Sequence, residues 1–225
     1  MPALRWTIVF CISAIALVAT TATPAAPTQR RCLGDYSYAG VVGTKGVNGA
    51  STRIAPLRSP QVAGGHVAAW VGVGGEGLGP GGTTEWIQAG LGAFADGRVE
   101  LYYEVTLPGS DPRYVALGDG RTPHMVAVVE VQRQPNWWRV WVDGRPASAA
   151  FHLPGSHGKF VPTVTAESWD GGDGSCNGFA YRFTRLKVRT TVAPAWHPLQ
   201  RPRLLEDPGL VLLRRHDGFD ARALG

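Results

Sequence analysis

Charged residues and helical apolar spacing are both scarce in this chain of 225 residues. Only 17% of the residues are Asp, Glu, Lys or Arg, whereas Gly and Pro number 30 and 17. Beyond the N-terminus, apolar residues show almost none of the spacing that marks an amphipathic helix. A chain rich in turn residues and poor in helical periodicity favours an all-β sandwich or barrel, and this length suffices for one domain with a core and tails.

Several kinds of functional site lack their characteristic residues. Among six histidines, only His152 and His157 approach ligand spacing, and they lie in a loop-like stretch, so we expect no metal and no cofactor. Residues 155–158 resemble a loop and not the strand-to-helix turn of a nucleophilic serine. The net charge of +5 is concentrated at residues 30–31 and towards the C-terminus. Because it does not follow a groove, we expect no nucleic-acid partner.

The first 22 residues have the layout of a secretory signal peptide. Arg5 precedes an apolar run over residues 6–19, and small residues follow it, which predicts cleavage after Ala22. The apolar run is short for a membrane span. The mature protein is therefore expected to be secreted, with no membrane association once the signal is removed. It should begin with a flexible leader over residues 23–33.

Cysteine is limited to three residues, of which Cys11 belongs to the signal segment. The remaining pair, Cys32 and Cys176, predicts one disulfide in an oxidising compartment. In the chain-entropy model, a loop of this length contributes about 4 to 5 kcal/mol. Neither cysteine forms a recognisable motif with a histidine, which argues against a catalytic thiol.

Strand patterns fill residues 34–189, which we predict to be a β-sandwich domain. A tight turn at Asp96-Gly97 separates two strand-like segments, residues 85–92 and 98–107, and this order predicts a β-hairpin. From residue 190 to residue 225, prolines interrupt the chain and arginines cluster, which predicts a C-terminal tail.

The first strand of this hairpin carries a polar residue of interest, Gln88. Strand side chains alternate, so Gln88 shares a face with Trp86 and Gly90. Gly90 is expected to leave open space beside the Gln88 amide. Downstream, residues 162–170 carry Glu167, and we expect Gln88 and Glu167 to lie side by side on a concave sheet.

Four segments follow one another along the chain: Trp70-Val71-Gly72-Val73-Gly74-Gly75, Trp86-Ile87-Gln88-Ala89-Gly90, Tyr102-Tyr103-Glu104 and Ala166-Glu167-Ser168-Trp169. Their order and approximate spacing resemble those of the glutamic peptidases, or eqolisins. The resemblance covers residues 65–170, about half of the chain. It implies a concanavalin-like antiparallel β-sandwich of the jelly-roll type.

The resemblance also implies a function, that of a secreted acid endopeptidase. Gln88 and Glu167 match the family's catalytic dyad, and the implied partner is a polypeptide substrate bound by a monomer. A carboxylate can act first as base and then as acid, and a neutral amide can donate to the developing oxyanion. The candidate substrate-binding residues are Trp70, Trp86, Tyr102, Glu104 and Trp169.

The sequence departs from the family at three places, of which one is Val105, where the family often has an aromatic residue. Gly74 and Gly75 stand where the family often has an acidic residue, and Glu76 follows them. Ser168 separates Glu167 from Trp169, whereas the family tends to have Glu and Trp adjacent. Because side chains alternate along a strand, this extra residue moves Trp169 to the other sheet face unless a bulge corrects it.

Two other functions remain open at the level of sequence. A non-catalytic, concanavalin-like protein that binds glycans or a surface is suggested by stacking residues such as Trp137 and Trp138. A glycoside hydrolase would need two carboxylates about 5 to 9.5 Å apart in one cleft, and Glu104 with Glu167 is the pair to consider. The group that faces Glu167 distinguishes the three functions. An amide there favours the peptidase, a carboxylate favours the glycosidase, and the absence of both favours a binding protein.

Overall fold

The computed structural model describes residues 36–172, 174–191 and 193–223, and most of these residues lie in β-strands. Within them, the only helical element is a 3-10 turn, Pro80–Gly82. No helix in these ranges is long and apolar enough to cross a membrane. The signal segment, the leader and Cys32 lie outside the described residues, so signal cleavage and the pairing of Cys32 with Cys176 stay predictions.

In the described part of the chain, sixteen strands form two antiparallel sheets. The strands are β1 (Ser37–Val42), β2 (Gly49–Pro56), β3 (His66–Gly75), β4 (Glu85–Phe94), β5 (Val99–Thr106), β6 (Arg113–Asp119), β7 (His124–Glu130), β8 (Trp137–Val142), β9 (Arg145–Pro146), β10 (Phe151–His152), β11 (Pro162–Trp169), β12 (Ala180–Arg189), β13 (His197–Pro198), β14 (Arg203–Glu206), β15 (Leu210–Arg215) and β16 (Gly218–Ala223). The seven-stranded sheet, here called the site sheet, has the order β14-β1-β11-β3-β4-β5-β6. The nine-stranded back sheet has the order β10-β8-β7-β2-β12-β16-β15, with β13 beside β12 and β9 beside β8.

The core lies between the two sheets and follows the alternation of the strands. In β4, Ile87, Ala89 and Leu91 are fully buried and belong to the core. Because successive strand side chains point to opposite faces, the residues between them face away from the back sheet. Trp138 and Phe183 fill the core from the back sheet. The prediction of an all-β sandwich is confirmed, and β4 pairs with β5 as the hairpin pattern indicates.

The residues after 189 do not form a tail. Strand β16 pairs with β12 in the back sheet, β15 pairs with β16, and β14 pairs with β1 at the edge of the site sheet. Phe219 and Ala221 are buried in the core. The structure therefore corrects the expectation of a tail from residue 190. The prolines interrupt the chain mainly before residue 209, and the alternating segments beyond them still complete a sheet.

Candidate functional site

A cleft of about 390 Å³ lies on the face of the site sheet that points away from the back sheet. Strands β1, β3, β4, β5 and β11 contribute to it. It brings together most of the residues that the sequence singles out, and it adds others that the sequence analysis did not select. The predicted residues that line the cleft are Gln88, Glu167, Trp70, Trp86 and Glu104. The additional lining residues include Tyr36, Tyr38, His66 and Glu76.

Gln88 faces the cleft from the middle of β4 and is only 8% exposed. Its Nε2 donates a hydrogen bond to the Tyr102 hydroxyl over 3.3 Å, which holds the amide in place within the cleft. Gly72 lies opposite on β3, where a Cβ atom would come within 2.8 Å of the Gln88 Cβ. The glycine at position 72 therefore makes room for the Gln88 side chain.

Gly90 does not provide the open space that the sequence predicts. A Cβ atom at this position would lie 2.0 Å from the Ala69 carbonyl oxygen and 2.7 Å from the Trp70 Cα. Two backbones meet closely here, so the absence of a side chain allows β3 and β4 to pair and does not open the cleft to a ligand.

Glu167 is nearly buried, and both of its carboxylate oxygens have a partner. The Trp70 indole Nε1 donates to Oε2 over 2.8 Å, and His66 Nε2 lies 3.1 Å from Oε1. These two partners lie four residues apart on the same face of β3, on either side of Ala68, and together they fix the plane of the carboxylate. This is the geometry of an oriented base, because an acid or base must be aimed at the atom whose proton it transfers.

Gln88 and Glu167 share the cleft, but they are not side by side. Strand β3 separates β4 from β11; Glu167 aligns with Ala68 and Gln88 aligns with Gly72. Trp70 lies between these two positions, so the dyad candidates face each other diagonally across its indole. The strand register sets this offset, which corrects the expectation drawn from the sequence.

Glu104 is a second carboxylate of the cleft. It lies on β5 opposite Gln88 on β4, and it accepts a hydrogen bond from the Trp86 indole Nε1 over 3.0 Å. Burial raises the pKa of Glu104, the Trp86 hydrogen bond lowers it, and the charge of Glu167 raises it again. The two carboxylates are therefore close enough to interact electrostatically.

Trp169 lies on the same sheet face as Glu167. The pairing of β11 with β3 continues without a bulge from Glu167 to Trp169, so the extra Ser168 turns the tryptophan towards the cleft side, as the departure from the family pattern predicts. Its ring packs against His66 at 5.6 Å and stacks on Tyr36 at 6.0 Å. Trp169 supports cleft residues without lining the cleft itself.

Three ring residues of the cleft escaped the sequence analysis. His66 precedes Trp70 by four residues on β3, so strand alternation places both on one face, and this signal was available. Tyr38 pairs with Glu167 across β1 and β11, and Tyr36 stacks on Tyr38. Burial, and after it the negative charge of Glu167, raises the pKa of both tyrosines, so they remain neutral hydrogen-bonding groups beside the carboxylate.

His152 and His157, the weakly spaced pair, do not share a site. His152 packs on the Trp137 ring at 5.0 Å, whereas His157 Nδ1 lies 2.8 Å from Glu130 Oε2. Across residues 36–172, 174–191 and 193–223, no group of three or more His, Cys, Asp or Glu side chains is placed to hold a metal ion.

Comparison with known proteins shows the fold. No protein-family model and no curated protein matches the sequence. Scytalido-glutamic peptidase, solved with a peptide-based transition-state analogue, superposes with a TM-score of 0.58 at 15% identity, over 85% of this chain and 98% of that chain. SCP-B, an eqolisin solved with the tripeptide Ala-Ile-His, gives 0.54 at 14% identity, over 84% and 98%. The chain thus has the β-sandwich fold seen in glutamic peptidases.

Proposed function

We propose that the protein is a secreted glutamic-type endopeptidase that hydrolyses polypeptides with Glu167 and Gln88. The observation that carries the proposal is the shared cleft: both side chains line it, in a fold seen in glutamic peptidases. Either residue alone would be an ordinary polar side chain on a strand. Their meeting in one cleft, at the positions that the sequence resemblance assigns to the dyad, supports a catalytic role.

Glu167 is the proposed base and acid. Its ionised carboxylate would take a proton from the attacking water and would then deliver that proton to the leaving nitrogen of the cleaved amide. Trp70 and His66 hold the carboxylate oxygens, so the side chain needs little reorganisation before it acts. Glu167 must be ionised when it activates water and protonated when it delivers the proton to the leaving nitrogen. Both forms of a carboxyl group are accessible mainly at acidic pH, so an acidic working range is expected.

Gln88 is the proposed oxyanion donor. The Gln88 Nε2 atom carries two N–H groups, of which one donates to the Tyr102 hydroxyl. The second N–H is available for the carbonyl oxygen of the substrate as negative charge develops on it. A donor of this kind typically contributes a factor of about 10² to 10³ in kcat.

A specific feature also favours the alternative of a non-catalytic glycan-binding protein. Tyr36 is 50% exposed, and its ring stacks nearly parallel to Tyr38 and Trp169, at 12° and 13°. Flat aromatic surfaces of this kind suit the apolar faces of sugar rings. In addition, the direct partners of Glu167 are an indole and an imidazole. Because neither an amide nor a carboxylate bonds directly to Glu167, this observation favours the binding alternative.

One experiment separates the two functions. The purified protein is incubated with an unfolded protein substrate from about pH 2 to about pH 7, a range that brackets carboxylate titration, and its binding to a panel of oligosaccharides is measured in parallel. We expect cleavage at acidic pH and no saturable oligosaccharide binding. A folded protein that cleaves nothing in this range and binds an oligosaccharide would replace the peptidase with the glycan-binding alternative.

A further inference from the structure

A second pocket, of about 460 Å³, opens between the ends of the two sheets. The loop that follows β2 forms one wall, the turn between β4 and β5 forms another, and the connection from β6 to β7 closes the third side. None of its lining residues lines the cleft described above. Its volume falls within the range of about 300 to 1,000 Å³ that is usual for small-molecule sites.

One of the residues that line this pocket carries a buried hydroxyl group without a partner among the described residues. Tyr181 lines the pocket and is only 1% exposed. Its hydroxyl makes no hydrogen bond within the described residues. Burial raises the pKa of Tyr181, so the group stays protonated and can donate. Buried polar groups in folded proteins are nearly always hydrogen-bonded, so this hydroxyl indicates a partner beyond the described residues, which a bound ligand would supply.

The charge of the pocket is positive. Arg58 and Arg121 are its charged lining residues, and no carboxylate is among the residues that line it. The Arg58 guanidinium donates to the Phe179 carbonyl over 3.4 Å. Arg121 donates to the Asp119 carboxylate over 2.7 Å and to the Gly97 carbonyl over 3.4 Å. Because a guanidinium has five N–H donors, both arginines keep donors for a ligand.

We propose that this pocket binds a small organic anion through a carboxylate or phosphate group held by Arg58, Arg121 and the Tyr181 hydroxyl. The planar guanidinium matches both kinds of oxyanion in a forked geometry. Tyr181 adds a neutral donor from the buried side. Pro56, Leu57 and Val99 line the same pocket and offer apolar surface to the carbon skeleton of the ligand.

Titration calorimetry with two probes, succinate and inorganic phosphate, tests this site and separates the two anion chemistries. The uncharged diamide of succinate serves as the ligand control. We expect saturable one-to-one binding of at least one anion and none of the diamide. Arg58→Gln should weaken that binding about tenfold or more, since hydrogen bonds to charged groups are the strong ones. Arg145→Gln, at an exposed arginine outside the pocket, should leave the binding unchanged.

Tyr181→Phe gives a second, independent readout. Without ligand, the variant should melt at the same temperature as the wild type or higher, because it loses a hydroxyl that has no partner. With the anion present, the wild type should gain thermal stability and the variant should gain less. The proposal is overturned if neither probe binds, if the diamide binds equally well, if Arg58→Gln leaves binding intact, or if Tyr181→Phe lowers the melting temperature without ligand.

Discussion

Two tryptophans of the cleft present the same chemical group to two different carboxylates. The Trp70 indole donates to Glu167, and the Trp86 indole donates to Glu104. If Glu167 is the base, the first of these bonds orients a reacting group, whereas the second only holds a wall of the cleft. Substituting each tryptophan in turn therefore distinguishes the positioning of the proposed base from the binding of the substrate.

Trp70→Phe keeps an aromatic ring on β3 and removes the N–H that orients Glu167. A lost hydrogen bond to a charged group corresponds to about 1.5 to 3 kcal/mol, so kcat should fall about ten- to a hundredfold with little change in KM. Steady-state kinetics on one peptide substrate at the optimal pH measures both constants.

Trp86→Phe is the matched control, because it removes the same kind of bond from Glu104. We expect it to change mainly KM, since Trp86 lines the cleft and its indole donates to Glu104, whereas the Glu167 carboxylate is held by Trp70 and His66. Equal losses of kcat in both variants would show that the indole of Trp70 has no special relation to the base.

At the scale of elements, the site depends on how closely β3 and β4 pack. Gly90 and Gly92 lie on the same face of β4, two residues apart, yet their surroundings differ. A Cβ at position 90 would meet the Ala69 carbonyl oxygen at 2.0 Å, whereas at position 92 its nearest neighbour is the Tyr114 hydroxyl at 3.4 Å. The first contact requires backbone movement, and the second is an ordinary packing distance.

Gly90→Ala should therefore destabilise the fold by about 2 kcal/mol or more, because overpacking forces the strands apart. Gly92→Ala should be neutral or slightly stabilising, since alanine restricts the unfolded chain more than glycine does. Urea denaturation followed by circular dichroism measures both free energies of unfolding. Similar values for the two variants would contradict the close approach of β3 and β4 at Gly90.

Alternation and turn chemistry predict the individual strands of this chain well, and the pairing between distant strands poorly. The Asp96-Gly97 turn and the alternation around Gln88 were enough to predict the hairpin of β4 and β5. The diagonal offset between Gln88 and Glu167 was not predictable, because the register of β3 against β11 joins segments about a hundred residues apart. Strand β6 lacks a buried apolar stripe, and so it gave no clear pattern.

At the scale of the whole molecule, the C-terminal strands are tied to the back sheet by an ion cluster in which three partly exposed arginines surround one buried carboxylate. The Asp220 carboxylate is fully buried and accepts hydrogen bonds from Arg182 at 2.8 Å, Arg215 at 2.6 Å and Arg222 at 3.0 Å. The Arg182 hydrogen bond, with those of Arg215 and Arg222, holds the pKa of Asp220 well below its ordinary value of 3.8, against the opposing effect of burial. The sequence did not reveal this cluster, because Arg215, Asp220 and Arg222 fall in the segment predicted to be a tail, whereas Arg182 belongs to the predicted sandwich.

Asp220→Asn should lower the free energy of unfolding by about 2 kcal/mol near neutral pH, because three guanidinium groups lose the negative charge and one of the two acceptor oxygens that they share. A lowered carboxyl pKa contributes stability that is complete above the unfolded value of 3.8 and is lost as the pH falls towards the folded pKa. The difference between wild type and variant should therefore shrink below that value. Urea denaturation at a series of pH values measures it.

Asp111→Asn, at an exposed loop residue, is the control and should change stability little at any pH. An Asp220→Asn variant as stable as the wild type near neutral pH would contradict the role of the cluster. Because the Asp220 carboxylate stays ionised in the folded protein below its ordinary range, the C-terminal strands should remain attached under the acidic conditions in which the proposed peptidase works.

The measurement that tests the central claim most directly compares two carboxylates of one cleft. Wild type, Glu167→Gln and Glu104→Gln are assayed for peptide cleavage at the optimal pH, with folding verified by thermal melting and Glu100→Gln as a control outside the cleft lining. The account predicts that Glu167→Gln lowers kcat by a factor of about 10² to 10⁴ and that Glu104→Gln retains most activity. Full activity in a folded Glu167→Gln variant would contradict it.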